Sequence, residues 1–254
     1  DSLVPIAAAH GAKLSTLGAD GRGSFRDLCD AQTDVFAVEH RDDDDLVALL
    51  YTSGTTGRSK GAMLTHANLL SNAEALAREW RFTSHDVLLH ALPIFHTHCL
   101  FVATNVALLS GASMLFLSGF DLDAILRSLP RATVLMGVPT FYTRLLEAPR
   151  FDRVLCERMR LFVSGSAPLL AETHVAFEAR TGHRILERYG MTETNMNTTN
   201  PYDGERRAGT VGLPLPGVEV IVADPDTGAP LSAGETGVVE VRGWNLPAGM
   251  KLPV

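Results

Sequence analysis

The sequence predicts a layered α/β fold, with sheets flanked by helices and a β-rich C-terminal portion. Three observations carry that reading. Up to about residue 190, short apolar runs alternate with segments of helical period, the rhythm that builds a mostly parallel sheet. After residue 200 the texture changes to β-branched and alternating stretches separated by turn residues. Hydrophobic residues make up 46% and charged residues 20% of the 254 positions, enough apolar material for a sizeable core and too much for a disordered chain. The change of texture divides the chain into an α/β portion, 1–200, and a β-rich portion, 201–254.

Each element follows from local pattern. Arg41-Asp42-Asp43-Asp44-Asp45 reads as a solvated lead-in rather than a metal site. Leu46-Val47-Ala48-Leu49-Leu50-Tyr51 reads as a buried strand, then comes a Gly/Thr/Ser-rich loop and a short strand, Ala62-Met63-Leu64. Thr65 is placed to cap a helix over 66–79. Further strands are expected at 86–90, 113–117, 133–136, 161–163 and 184–187, with helices over 98–109, 121–129, 140–148 and 169–181. Cys99 to Phe120 runs 22 residues without a charge, long enough to suggest a membrane span. Thr104, Asn105, Ser110, Gly111, Ser113, Ser118 and Gly119 interrupt it, so it reads as a buried helix, a Ser-Gly turn and a short buried strand, with no membrane span. Near the end, strands at 218–222 and 238–241 flank the turn Asp224-Pro225-Asp226-Thr227-Gly228.

The charge balance narrows the partners. With 22 Lys plus Arg against 29 Asp plus Glu, the net charge is −7, and no basic cluster offers phosphate contacts. A surface devoted to nucleic acid or anionic membrane is therefore not expected. Cys29, Cys99 and Cys156 lack CxxC spacing, which fits free thiols in a reducing compartment and gives no zinc framework. The first residues, Asp1-Ser2-Leu3-Val4-Pro5, lack the features of a secretory signal, and a cytoplasmic location is expected.

The richest chemistry lies in Tyr51-Thr52-Ser53-Gly54-Thr55-Thr56-Gly57-Arg58-Ser59-Lys60-Gly61. Its glycines let backbone N–H groups approach phosphate oxygens, its hydroxyls donate hydrogen bonds or help hold Mg²⁺, and its lysine offsets charge on outer phosphates. It is not a Walker A loop, because Lys60 is followed by Gly61 and Ser59 stands where the second glycine belongs. That counts against a P-loop kinase or GTPase.

This loop resembles the phosphate-loop signature of the AMP-forming adenylate-forming enzymes, which include acyl-CoA synthetases, peptide-synthetase adenylation domains and luciferases. Two further stretches match in order and spacing: Tyr189-Gly190-Met191-Thr192-Glu193, and Gly234-Glu235-Thr236-Gly237 running to Arg242-Gly243. The resemblance implies that a carboxylate attacks the α-phosphate of ATP to give acyl-AMP and pyrophosphate, after which coenzyme A displaces AMP. It implies ATP, Mg²⁺ and coenzyme A as cofactor and co-substrates, a small carboxylic acid as substrate, and the large domain of an acyl-CoA synthetase as the fold. By that likeness Thr52, Ser53, Gly54, Thr55, Thr56, Gly57 and Lys60 cradle the outer phosphates. Thr192 contacts the α-phosphate, Glu193 with Thr55 holds Mg²⁺, and Tyr189 stacks on adenine. Ser164-Gly165-Ser166-Ala167-Pro168 then walls adenine from the acyl group, with an ordinary strand-to-helix turn as the lesser alternative when it is read alone.

The acid site is expected from two further segments. Pro93-Ile94-Phe95-His96-Thr97-His98 resembles the family's substrate-proximal motif, with His96 and Thr97 bordering the acyl group; a lone His can also be structural. Arg188 directly precedes Tyr189, and the string Glu187 to Asn197 resembles malonyl-CoA synthetases, with Met191 beside the acid. An Arg at a pocket floor suits a substrate with a second carboxylate, which it can bind through a bidentate contact. Pairing of Arg188 with Glu187 or a surface carboxylate is the alternative. The resemblance thus implies an acid–CoA ligase for malonate or methylmalonate, with a fatty acyl-CoA synthetase or a non-catalytic nucleotide-binding fragment as other readings. Cys99 stands where the family has Gly, and the later ribose-binding segment, hinge and small C-terminal lid domain of the family are not found in the sequence.

Overall fold

The computed structural model describes residues 2–52 and 60–244. By internal contacts the chain divides into residues 1–41 and 42–254. The first unit holds two short helices, α1 (Val4–Ala9) and α2 (Ser24–Asp30), neither with a buried residue. Pro5 lies in the first turn of α1, where its missing N–H costs nothing. Thr16 and Ser24 exchange backbone-to-hydroxyl hydrogen bonds of 2.9 and 3.3 Å ahead of α2.

In the second unit the chain enters through β1 (Leu46–Thr52) and β2 (Lys60–Thr65), an antiparallel ribbon. The expected buried strand at 46–51 is instead largely exposed, with Leu46, Val47, Leu49 and Tyr51 open to solvent. The reason is topological: β1 pairs with β2 alone and lies outside the main sheet, so only one face of the ribbon, supplied by Ala62 and Leu64 of β2, is covered. Thr65 caps α3 (His66–Glu79) as expected: its hydroxyl accepts from the Asn68 N–H at 3.3 Å while its own N–H donates to the Asn68 side chain at 3.0 Å.

The main sheet contains β3 (Val87–His90), β4 (Ser113–Phe116), β5 (Val134–Gly137), β6 (Leu161–Ser164), β7 (Leu186–Met191), β8 (Asn195–Thr199) and β9 (Leu213–Pro214). Their order is β4-β3-β5-β6-β7-β8-β9, parallel from β4 to β7 and antiparallel from β7 to β9. The parallel part needs helical crossovers. These are a π-helical segment (His98–Ala103) continued by α4 (Thr104–Leu109), then α5 (Leu122–Ser128), α6 (Pro139–Leu146) and α7 (Ala171–Thr181). Every residue of β5 and β6 is buried, which explains why their sequences are nearly continuous apolar runs.

The core lies between sheet and helices. Phe177 of α7 packs against Tyr142, Phe151 and Phe162 with ring centroids 5.4, 5.6 and 4.9 Å away. The polar ends of buried aromatics find partners: Tyr142 donates to the Val163 carbonyl at 2.5 Å, and Trp80 Nε1 donates to Thr199 Oγ1 at 2.9 Å. Before β3, buried Asp86 accepts two bonds from the Arg160 guanidinium, at 2.6 and 2.8 Å, and one from Thr133 Oγ1 at 2.7 Å. Burial pushes the Asp86 carboxyl up, but these bonds outweigh it and hold the group below its ordinary value.

Strand β8 escaped sequence reading because four of its five residues, Asn195, Asn197, Thr198 and Thr199, are polar although all five are buried. Asn72 of α3 explains part of this, since its side chain donates to the Met196 carbonyl at 2.8 Å and accepts the Met196 N–H at 3.2 Å. The strand expected at 184–187 runs later, over Leu186–Met191, and so carries part of the Tyr189-to-Glu193 motif. Past it, β10 (Val218–Ala223) and β11 (Val238–Gly243) form a second antiparallel ribbon, joined through the expected turn in which Asp224 Oδ1 accepts from the Asp226 and Thr227 N–H groups. Among the described residues no helix is long and apolar enough to cross a membrane.

Candidate active site

Two clusters form at the C-terminal ends of the strands. In the first, Thr52 and Lys60 stand opposite each other in the β1–β2 register. The loop between them, with the expected phosphate-cradling Ser53, Gly54, Thr55, Thr56 and Gly57, lies outside the described residues. Thr52 Oγ1 donates to Glu193 Oε1 at 3.3 Å, joining residues 141 apart in sequence. Glu193 and Thr192 occupy the turn that links β7 to β8. That turn depends on Gly190: a Cβ there would sit 1.9 Å from the Asn195 carbonyl oxygen, so no other residue fits. Tyr189 is half-buried, its hydroxyl 3.8 Å from Met191 Sδ, and burial together with the Glu193 charge raises its pKa.

Among the described residues no group of three or more His, Cys, Asp or Glu could hold a metal ion. Glu193 offers one carboxylate, steadied by the Thr52 hydroxyl. This sparse donor set fits Mg²⁺, which keeps waters and phosphate oxygens and takes one or two carboxylates from the protein.

The second cluster surrounds Arg188. In the sheet register Ser164 pairs with Glu187, which sets Gly165 beside Arg188. The guanidinium occupies the space a side chain at position 165 would need: a Cβ on Gly165 would be 2.3 Å from Arg188 Cζ. Arg188 is buried, and its Nε and Nη2 have no hydrogen-bond partner among the described residues. It also has no carboxylate within ion-pair distance among them. Burial pushes its pKa down to about 10, which leaves it charged at neutral pH.

The alternative pairing of Arg188 with Glu187 does not occur. Adjacent strand residues point to opposite faces, and the Glu187 carboxylate is 3.5 Å from His174 Nδ1 and accepts the Gly209 N–H at 3.1 Å. Apart from Asp1, the side chains outside the described residues include no acid that could serve instead.

The His-containing segment divides. His96 is exposed, its ring 4.5 Å from Phe95. Thr97 is buried, and His98 opens the π-helical segment with Nδ1 3.3 Å from Ser166 Oγ; the Thr97 hydroxyl and the buried His98 Nε2 have no hydrogen-bond partner among the described residues. Burial, with help from the nearby Arg188 charge, lowers the His98 pKa well below the usual range, so its imidazole is neutral. Sequence reasoning named His98 within the motif but assigned the acid contact to His96 and Thr97. The available signal was its place at the head of the uncharged run from Cys99 to Phe120, which buries what it begins with. Cys99 is a buried thiol raised to about 11 by desolvation; its carbonyl accepts from Thr104 Oγ1 at 2.9 Å.

The structure therefore brings Thr52, Lys60 and Glu193 together on one side, and Arg188, Gly165, Ser166 and His98 on the other, with β7 carrying Tyr189 and Met191 between them.

Residues 8–249 match the family model described as AMP-binding enzyme. A malonate–CoA ligase of Arabidopsis thaliana is 38% identical over 243 residues, covering 85% of this chain and 39% of that protein. ATP-bound MatB from Rhodopseudomonas palustris superposes with a TM-score of 0.93 at 60% identity, covering 97% of this chain and 49% of that one. A malonyl-CoA ligase in a ternary product complex with methylmalonyl-CoA and AMP gives a TM-score of 0.75 at 44% identity, covering 83% and 46%. The chain thus spans half or less of the length of each of these proteins.

Proposed function

The chain belongs to the AMP-binding enzyme family, and on that premise we propose that it serves the ATP-dependent, AMP-forming ligation of malonate or methylmalonate to coenzyme A. The observation that carries the choice of acid is Arg188, a buried cation whose Nε and Nη2 lack partners and which has no carboxylate beside it among the described residues. A buried unpaired charge is costly. A dicarboxylate supplies the missing partner, whereas a fatty acid would set hydrocarbon against the guanidinium. The malonate–CoA ligases among the similar proteins support the same reading.

In this reading one carboxylate of the acid lies toward Thr192 and the α-phosphate while Arg188 holds the other, so the substrate is oriented from its far end. An oxygen of the near carboxylate attacks the α-phosphorus, the bond to the bridging oxygen breaks, and pyrophosphate leaves. Thr192 steadies the α-phosphate, and Lys60 with Thr52 and the residues 53–57 offsets the charge of the departing phosphates. Bound Mg²⁺, which Glu193 would hold, supplies neutralisation of phosphate charge. The thiol of coenzyme A then attacks the acyl carbon, loses its proton, and AMP leaves. A reducing compartment suits the free Cys29, Cys99 and Cys156, in keeping with a cytoplasmic location.

The test is acid-dependent exchange of labelled pyrophosphate into ATP. Malonate and methylmalonate should exceed acetate and octanoate by about 100-fold or more in kcat/KM, the selectivity of a site built around a polar pairing. Octanoate equal to or better than malonate would replace the reading with a fatty-acid ligase. MgATP binding without exchange on any acid would replace it with a non-catalytic nucleotide-binding role.

A further inference from the structure

Whatever acid the site takes, we infer that the open edge of β1 is a contact surface for a second copy of this chain, the two strands pairing antiparallel about Leu49 into a symmetric dimer.

Among the described residues β1 bonds to β2 alone, so alternate N–H and C=O groups along its other edge have no strand partner. The face beside that edge is apolar. Val47, Leu49 and Tyr51 alternate on one side of the strand, with Leu49 46% and Tyr51 71% exposed. Met63 of β2, opposite Leu49 in the register and also exposed, widens the face. At Val47 it runs into a groove of about 410 Å³ lined also by Leu69, Leu70, Phe101, Leu108 and Leu109. Contiguous apolar surface next to an unpaired strand edge is surface that an interface covers.

Two features of β1 select a second copy as the occupant. The first is its pattern. When β1 is paired with itself about Leu49, Val47 of each copy opposes Tyr51 of the other and Leu49 opposes Leu49, all on the exposed face. Aromatic–β-branched and apolar pairs of this kind stabilise antiparallel strands. The second is charge. Asp42, Asp43, Asp44 and Asp45 are exposed just before β1, and among the described residues none has a cation within ion-pair distance. Lys60 is exposed beside Thr52 at the other end of the ribbon, and no described carboxylate pairs with it. Antiparallel pairing lays the acid run of each copy at the Lys60 end of the other, whereas parallel pairing would set acid run against acid run. A two-fold contact satisfies both ends at once.

The experiment is sedimentation velocity on the full chain, native and Leu49→Lys, with cysteine cross-linking as the second measurement. A contact of this modest size should leave the native protein monomeric near about 1 μM and mainly dimeric near about 100 μM. Leu49→Lys sets like charges face to face across the two-fold axis and should stay monomeric throughout. Raising salt to about 0.5 M should weaken the native dimer by about 3-fold or more. In a Cys29→Ser background, Leu49→Cys should form an intermolecular disulfide on mild oxidation. Met63→Cys, one strand further from the axis, should not, because its counterpart then lies about 14 Å away, three strand spacings. Should Leu49→Lys fail to fold, the two cysteine variants carry the comparison.

A native monomer at every concentration, a dimer that survives Leu49→Lys or tightens in salt, or cross-linking through Met63→Cys rather than Leu49→Cys would overturn the inference and leave the β1 face to a different polypeptide.

Discussion

Arg188 is the residue on which the account of specificity turns, and its cost is as informative as its use. A guanidinium buried without a carboxylate beside it among the described residues destabilises the fold, because desolvation is not offset by pairing. Replacing it with Met, of similar length and no charge, is therefore expected to stabilise the ligand-free protein by about 1–3 kcal/mol. Thermal melting checks this, and a lower melting temperature would show that the guanidinium has found adequate partners. Sequence placed Arg188 in the acid pocket because it precedes Tyr189. It could not exclude Glu187 as partner, since only the strand geometry that turns neighbours to opposite faces does so. His98 was hard to separate from His96 for a related reason: the sequence shows two histidines two apart, and the uncharged run that follows His98 is the one local hint of which is buried.

At the scale of elements, legibility followed local chemistry. The helix at 66–79 was readable from Thr65, and its capping box confirms the reading. Thr65→Ala should cost about 1 kcal/mol, measured as a shift in urea midpoint at unchanged slope; no shift would mean that the cap is replaced by neighbouring donors. The ribbon β1–β2 misled in burial because its apolar residues look like a core strand, while the sheet partners that would bury it are absent from the local sequence. Strand β8 was missed from the opposite side, being polar yet buried, its backbone bonded to Asn72 and its Thr198 hydroxyl donating to the Val211 carbonyl at 2.7 Å. The hairpin of β7 and β8 carries Tyr189, Thr192 and Glu193, so the element hardest to read is also one to which the proposed function assigns its chemistry. Tertiary bonds compensate for weak strand propensity there.

Across the whole molecule, the parallel sheet was predicted from strand and helix rhythm, and its five parallel strands follow it. What the rhythm could not supply is the anchor at one end of the sheet, where Arg160 ties Asp86 to the Trp80 carbonyl at 3.0 Å. Since the Asp86 carboxyl is held below its ordinary value, its contribution is present above the unfolded-state value of about 3.9 and is lost as pH falls through the lower folded value. Arg160→Met removes the bonds that oppose desolvation. We expect a loss of about 2–4 kcal/mol at neutral pH and an acid-unfolding limb that begins at higher pH. Melting temperature followed from pH 7 downward tests both, and parallel acid limbs in the two proteins would show that Asp86 does not set acid stability.

The central claim is that an unpaired cation in the acid pocket selects a substrate with two carboxylates. It is tested most directly by comparing kcat/KM for malonate and propionate in native protein and Arg188→Met. The account predicts a fall on malonate of about 100-fold or more, with propionate unchanged or improved. Equal effects on both acids, or malonate use that survives the substitution, would contradict it.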